Sequence, residues 1–136
     1  MNWDYLAGLF DGDGSVAIGL RDHKQPIFRF EITSSSEILN QELIKFLNSR
    51  KIRVSQTFQT NHLGSSRHLT VQSLGGLTKI VRMLIPRVVE KREQLLILRD
   101  AIRVRSDLLQ LDSLRRQLHG LSKKGPKTLK SWVIFK

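Results

Sequence analysis

Three aspartates occur within the first 14 residues of a strongly basic chain. Asp4, Asp11 and Asp13 lie in residues 1–14 without a single lysine, arginine or histidine. The whole chain of 136 residues has 23 Lys and Arg against 12 Asp and Glu, a formal net charge of +11. Carboxylates are hard oxygen ligands that suit Mg²⁺, which proteins usually hold with one or two carboxylates and the phosphates of a substrate. The acidic N-terminal segment is therefore a candidate metal site.

The segment before these acids predicts a helix over residues 3–10, ended by Gly12 and Gly14. Gly8 and Gly12 are four residues apart, so they share one helical face and allow a second helix to approach closely. Without such a contact, helical glycines lower stability by roughly 1 kcal/mol each. Two of these helices side by side would bring together two Asp13 carboxylates, which repel unless cations lie between them. Turn formation by the Asp-Gly-Asp-Gly sequence is the alternative explanation for the acids.

The charge and composition of the whole chain narrow the class of protein. A net charge of +11 favours a nucleic-acid-binding protein over a membrane-surface protein, because no basic amphipathic helix with an aromatic face is evident. With 40% hydrophobic residues, the chain can form one packed domain. The absence of cysteine excludes a disulfide scaffold and thiolate metal sites. No apolar run reaches the roughly 18 residues of a membrane span, so we expect a soluble, intracellular protein without membrane contact.

Hydrophobic periodicity predicts an α-β-β-α-β-β-α-α-α order, which is an α+β fold. The two strand pairs are expected to form hairpins, and Pro86 and Gly120 are expected to end two of the helices. The predicted helices cover 3–10, 35–51, 75–85, 88–105 and 107–120, and the predicted strands cover 15–20, 27–33, 54–60 and 67–73.

The strands alternate between apolar side chains on one face and short polar side chains on the other. The apolar face is expected to be covered by helices. The polar side chains are of types that pair with base edges in the major groove of DNA, although a solvated sheet face also accommodates them. The outward-facing residues of strands two to four are Arg29, Glu31, Thr33, Ser55, Thr57, Gln59, His68, Thr70 and Gln72.

Residues 6–14, Leu-Ala-Gly-Leu-Phe-Asp-Gly-Asp-Gly, resemble the signature of the LAGLIDADG homing endonucleases. The resemblance extends to the order of elements over residues 3–105. It implies an αββαββα core in which a four-stranded antiparallel sheet forms a DNA-binding saddle, followed by extra C-terminal helices. Family members with one copy of the motif act as homodimers and hydrolyse both strands of a long pseudo-palindromic DNA target.

The resemblance also implies roles for individual residues. Asp13 would be a catalytic metal ligand, assisted by the Gly12 carbonyl, with Mg²⁺ as the cofactor. Mn²⁺ is expected to substitute for Mg²⁺, and Ca²⁺ to support binding with little cleavage. Lys91 would be catalytic and stabilise phosphate charge or perturb the attacking water, although an ordinary surface lysine is equally consistent with the sequence. The expected dimer-interface residues are Leu6, Ala7, Gly8, Phe10, Asp11 and Gly12.

We expect double-stranded DNA to contact the outward strand residues and several neighbouring residues. The full predicted DNA-binding set is Lys24, Gln25, Arg29, Glu31, Thr33, Ser34, Arg53, Ser55, Thr57, Gln59, Arg67, His68, Thr70 and Gln72.

The sequence departs from the family pattern at the end of the second strand. Ser34 stands where relatives often have a water-positioning glutamine, and Glu37 or Ile38 stands where they have an arginine. Arg29 or Arg53 could supply the missing guanidinium. The alternatives to an endonuclease are an RNA maturase, a non-cleaving nucleic-acid-binding protein and a basic ribosome-associated protein.

The C-terminal region is strongly basic. Residues 113–136 contain seven Lys and Arg and no acid. We divide the chain into an endonuclease domain over 1–120 and a basic arm over 121–136, which either clamps flanking phosphates or is a solvated tail. Family members occur in bacteria, archaea and organelles, so the compartment is expected to be a bacterial or archaeal cytoplasm or an organelle.

Overall fold

A computed structural model describes residues 1–22, 24–62 and 64–122. The predicted basic arm lies outside the described residues except at positions 121 and 122. The helices are α1 (Trp3–Asp13), α2 (Glu37–Ser49), α3 (Leu74–Leu84), α4 (Arg92–Arg103) and α5 (Leu108–Ser122). The strands are β1 (Gly14–Arg21), β2 (Gln25–Ser34), β3 (Ser55–Asn61) and β4 (Gly64–Val71).

The four strands form one antiparallel sheet in the order β1-β2-β4-β3. Helices α1 and α3 contact β2, while α4 and α5 contact β1. The inward strand residues, among them Val16, Phe30 and Leu69, belong to the hydrophobic core that these helices cover. This confirms the predicted α+β class, the order of elements and the two hairpins. The described part of β3, residues 55–60, is an exposed edge strand.

Helix α1 is positioned by its apolar face. The Asn2 side chain caps its first turn by accepting the Tyr5 N–H at 2.8 Å. Leu6, Ala7 and Phe10 are buried, and the Phe10 ring stacks on Phe30 with centroids 5.0 Å apart. The helix therefore lies across the centre of the sheet, and its last turn leads directly into β1.

Helix α4 begins later than the sequence predicts. The predicted helix over 88–105 is wrong at its start, because residues 88–91 form a non-helical segment before Arg92. The N–H groups of Val89 and Lys91 donate to the Asp11 carboxylate of α1. This tertiary contact determines the local backbone, and helical periodicity alone does not reveal it.

Two other helix ends also differ from expectation. Helix α1 continues through Gly12 to Asp13, and α5 continues through Gly120. A single glycine costs only about 1 kcal/mol in a helix, so neighbouring packing overrides it. Among the helices of the described residues, none is both long and apolar enough to cross a membrane.

Replacing Gly14 with alanine should destabilise the fold. A Cβ at this position would collide with the Phe10 ring and lie 2.8 Å from the Phe10 Cα. We expect Gly14→Ala to lower the free energy of unfolding by about 1–3 kcal/mol, as other overpacked core substitutions do. Urea denaturation measures the change.

Gly19→Ala is the matched control, because Gly19 lies in the same strand with open space around its Cα. We expect it to change the unfolding free energy by less than about 0.5 kcal/mol. Equal effects of the two substitutions would contradict the predicted contact between α1 and the start of β1.

Candidate functional site

Asp13 is the last residue of α1, and its side chain is exposed. Within the described part of the chain, its carboxylate makes no ion pair or hydrogen bond. Gly12 precedes it in the last helical turn, where backbone carbonyls have no partner further along the helix. Carboxylate and carbonyl oxygens at one helix end are the donor types that a hard divalent cation requires.

The end of α1 attracts cations for a second reason. Its last turn contains two acids, Asp11 and Asp13, and no basic residue. The C-terminal end of a helix carries a partial negative charge, so acids there are unfavourable unless a cation compensates them. The two acids therefore favour the presence of a cation at this end of the helix.

Lys91 supplies one compensating cation. Its ammonium donates to the Gly14 carbonyl at 2.6 Å and lies 5.7 Å from the Phe10 ring centroid. The side chain is partly buried against the end of α1. The two residues predicted to be catalytic, Asp13 and Lys91, therefore lie at the same end of α1, although 78 positions separate them in sequence.

The environment of Lys91 changes its proton affinity. Burial lowers the pKa of Lys91, because the charged ammonium loses hydration. The negative charges of Asp11, Asp13 and Glu90 oppose this shift. The carboxylates therefore favour the protonated ammonium and oppose the effect of burial on the Lys91 pKa.

The Asp11 carboxylate is bound by backbone N–H groups of its own chain. One carboxylate oxygen accepts the Val89 N–H at 2.8 Å and the other accepts the Lys91 N–H at 3.0 Å. Both oxygens are thus occupied by contacts within the chain, and the expected dimer-interface role stays a prediction.

The two faces of α1 have opposite properties. Leu6, Ala7 and Phe10 are at most 2% exposed in the chain's own core. Their side chains point towards the sheet, and their place in a dimer interface stays a prediction. Gly8 and Gly12 are exposed on the other face, and a Cβ built on either would lie more than 4 Å from every other described part of the chain outside its own helical turn.

Among residues 1–22, 24–62 and 64–122, no three His, Asp or Glu side chains form a group that could hold a metal ion. The exposed Asp13 carboxylate and the Gly12 carbonyl have suitable chemistry for part of a Mg²⁺ site. Among the described residues, Asp13 thus offers one unengaged carboxylate at the end of α1.

The strand register places most of the predicted DNA-contacting residues on one face of the sheet. Glu31 pairs with Thr70, Thr33 pairs with His68, and Ser55 pairs with Thr70. Directly paired residues project to the same face. The outward face opposite the helices therefore contains Arg29, Glu31, Thr33, Ser55, Thr57, Gln59, His68 and Thr70.

His68 connects three strands on this outward face. Its Nδ1 lies 2.8 Å from Glu31 Oε1 and 3.0 Å from Thr33 Oγ1. Its Nε2 lies 2.7 Å from Gln59 Oε1. These contacts hold the polar side chains in fixed orientations, which favours selective hydrogen bonding to a partner.

Two of the predicted DNA-binding residues do not face outward, and a third is largely buried. Ser34 pairs with Arg67, on the helix-covered face, because alternate strand residues point to opposite sides. The Ser34 hydroxyl accepts the Ser36 N–H, and the Arg67 guanidinium lies over the Phe58 ring. Thr70 does face outward but is only 8% exposed, since neighbouring strands cover it.

The remaining predicted residues lie at the edges of the outward face or in loops. Lys24 and Gln25 are exposed where β1 turns into β2, and Arg53 is exposed in the loop before β3. Gln72 follows β4 and lines a cleft of about 520 Å³ together with Arg29.

Sequence reasoning missed two contributions to this cleft. Ala17 and Gly19 of β1 line it, and their small size could have been read from the alternation of residues 15–20. Arg115 of α5 also lines it, and its guanidinium pairs with Asp112 at 2.8 Å. Nothing in the local sequence of α5 distinguishes Arg115 from its neighbouring arginine.

No protein-family model matches this chain, and no curated protein matches it by sequence. Solved structures do match by shape. The homing endonuclease I-CvuI, in complex with the I-CreI target and Mg, has a TM-score of 0.72 at 17% identity. The match covers 92% of this chain and 83% of that chain.

Two further structures extend the comparison. The homing endonuclease I-TnaI has a TM-score of 0.62 at 17% identity, over 98% of this chain and 97% of that chain. The LAGLIDADG meganuclease I-AabMI, bound to uncleaved DNA, has a TM-score of 0.61 at 17% identity. That match covers 89% of this chain and 43% of that chain.

Removing the Asp13 charge should lower the pKa of Lys91 further. The Asp13 carboxylate favours the ammonium form, so Asp13→Asn leaves burial less opposed. Lysine side-chain NMR, titrated with pH in buffer without divalent metal, measures the change, and Lys91→Arg assigns the signal. Asp100→Asn, in the C-terminal half of α4, is the control and should leave the Lys91 pKa unchanged. An unchanged or higher Lys91 pKa in Asp13→Asn would contradict the arrangement.

Proposed function

Since this chain has the fold of the LAGLIDADG homing endonucleases, we propose that it is a site-specific, metal-dependent DNA endonuclease that acts as a homodimer. The observation that carries the proposal is the meeting of Asp13 and Lys91 at the end of α1. This end lies two residues before Ser15, which pairs with Glu31 of the outward face. An exposed, unpaired carboxylate and a partly buried cation at one place are suited to phosphodiester hydrolysis.

The exposed face of α1 that contains Gly8 and Gly12 supports the homodimer. Gly8 and Gly12 lower the stability of an exposed helix by about 1 kcal/mol each, and no contact among the described residues compensates this cost. Tyr5, one turn before Gly8, is 53% exposed on the same helix. A second α1 packed here would cover this face and bring a second Asp13 close to the first. Such an isologous contact requires a pseudo-palindromic target.

Different residues of the chain are proposed to bind the metal and to stabilise the phosphate. Asp13 and the Gly12 carbonyl would hold Mg²⁺, with Mn²⁺ able to replace it and Ca²⁺ supporting binding. The metal would supply charge stabilisation and a more acidic bound water. The Lys91 ammonium, held at Gly14, would stabilise negative charge on the phosphate or orient the attacking water.

The outward face of the sheet is proposed to bind double-stranded DNA. Arg29, Glu31, Gln59 and His68 offer donors and acceptors for base edges. The hydrogen bonds of His68 to Glu31 and Gln59 limit the freedom of these three side chains before binding. Lys24 and Arg53 lie at the periphery, where contacts to phosphates are expected. The basic arm from residue 121 is proposed to add further phosphate contacts, and residues 1–120 to form the endonuclease domain.

A non-cleaving nucleic-acid-binding protein or RNA maturase is the second candidate. The observation in its favour is that Ser34 faces the helix-covered side and accepts the Ser36 N–H. Within the described residues, the Ser34 hydroxyl thus stabilises the turn before α2. The two functions are separated by whether bound DNA is cut.

The proposed activity is tested by selection from a randomised pool of duplex DNA. With Mg²⁺, we expect cutting of both strands at one family of pseudo-palindromic sequences, and with Ca²⁺ we expect retention without cutting. Asp13→Asn should reduce the cleavage rate roughly 10³-fold or more, because a metal ligand contributes several kcal/mol of charge stabilisation. Asp100→Asn, which removes an acid from the helical layer, should cut normally. Retention of DNA without cutting under Mg²⁺ and Mn²⁺ would favour the binding protein or maturase.

A bulky residue on the exposed face of α1 that contains Gly8 and Gly12 should prevent association of two chains. We expect Gly8→Leu to sediment as a monomer at concentrations where the wild-type chain is a dimer. The substitution fits the isolated chain, since the space around Gly8 is open and leucine favours helix by about 0.8 kcal/mol.

Gly120→Leu on α5 is the matched control, because Gly120 is also exposed, helical and free of close neighbours among the described residues. It should sediment like the wild-type chain. Unchanged dimerisation of Gly8→Leu would show that the two chains meet on another surface.

A further inference from the structure

Among the described contacts, Asp11 is the one acid of α1 whose two carboxylate oxygens both accept hydrogen bonds from the chain. Its two carboxylate oxygens accept N–H groups from residues 89 and 91, with N···O distances of 2.8 and 3.0 Å. Asp4 also contacts this segment, through an ion pair with Arg87 at 3.0 Å, but the Asp4 side chain is 82% exposed. The Asp11 contact is therefore the one that reaches the backbone next to Lys91.

These two hydrogen bonds constrain the Lys91 backbone. Lys91 is the N-cap position of α4, and its side chain provides no capping hydrogen bond. It instead extends to the Gly14 carbonyl at 2.6 Å. The Arg92 guanidinium donates to the Ile85 and Val88 carbonyls of the preceding turn. The N–H groups of residues 89 and 91 donate to Asp11. The direction in which Lys91 leaves the backbone thus depends on Asp11.

We propose that Asp11 is a positioning residue, which fixes the Lys91 backbone so that the ammonium is held beside Asp13. The inference rests on the proposed endonuclease function for its consequence in catalysis, but the positioning itself does not. The first acid of the motif would then act through Lys91, whereas the second acid, Asp13, acts at the reacting phosphate.

A carboxylate is required for this role. An asparagine at position 11 has nearly the same volume but only one acceptor oxygen, and its NH₂ group would face a backbone N–H. One of the two N–H groups of residues 89 and 91 would lose its partner, and the segment would be free to move. A shift of about 1 Å in a catalytic group can reduce the reaction rate roughly 10²-fold.

Single-turnover cleavage with saturating protein separates positioning from binding. Asp11→Asn should cut roughly 10²-fold more slowly than wild type, with unchanged affinity for target DNA in Ca²⁺. In a Lys91→Met background the same substitution should have little further effect, because the two residues act as one unit. Asp4→Asn, which loosens the same segment at Arg87, is the matched control and should cut like wild type.

Two outcomes of the cleavage experiment would overturn the proposal. One is a normal cleavage rate in Asp11→Asn. The other is an effect of equal size with and without Lys91, which would indicate a direct or purely structural role.

Two readouts do not need cleavage and keep the positioning claim testable if the endonuclease proposal fails. In wild-type protein, amide hydrogen exchange should be slower at Val89 and Lys91 than at Glu90, which lies between them without a hydrogen-bonded N–H in the described structure. In Asp11→Asn, the side-chain NMR signal of Lys91 should move, and in Asp4→Asn it should not. Equal exchange at all three amides of residues 89–91, or an unmoved Lys91 signal, would overturn the positioning role whatever happens to DNA.

Discussion

The hydrogen bonds between the Asp11 carboxylate and the backbone of residues 89 and 91 hold the candidate site together. They join the end of α1 to a segment 78 residues further along the chain. Because α1 is pressed against the sheet by Phe10 and its neighbours, this contact places Lys91 relative to the sheet as well. The delayed start of α4 and the proximity of Lys91 to Asp13 follow from the same interaction.

The sheet is subject to a constraint of its own, because each strand residue must point either to the helices or away from them. Apolar residues occupy the helix-covered face, which leaves polar residues such as Glu31, Gln59 and His68 together on the other. Their mutual hydrogen bonds fix them before any partner binds. The proposed nuclease would use this polar face to select a DNA sequence and Asp13 with Lys91 to react.

The sequence was sufficient to predict the sheet, the hairpins and the shared outward face, because strand alternation is a local pattern with period two. It also singled out Asp13 and Lys91, through the motif and the family resemblance. It failed where two distant segments meet. Local periodicity could not show that Asp11 holds residues 89 and 91, and this contact is why the predicted helix from residue 88 was wrong. Burial of Leu6, Ala7 and Phe10 likewise depends on which side of α1 faces the sheet.

Ser34 and Arg67 illustrate a finer limit. They lie next to residues of the outward face but project the other way, because one position in a strand reverses the face. Arg115 was missed for the opposite reason, since only the docking of α5 beside β1 brings it to the cleft. Positions decided by register can be corrected from the sequence pattern, whereas positions decided by docking require the structure.

The central claim is that two chains each contribute one Asp13 to a shared reaction site. It is tested most directly by co-expressing wild-type and Asp13→Asn chains in varied ratios and measuring all strand breaks, single-strand nicks included, with target DNA in excess. If both carboxylates are needed at once, the cutting rate per total protein falls as the square of the wild-type fraction. A linear fall would show that each chain cuts by itself, and it would contradict the shared site.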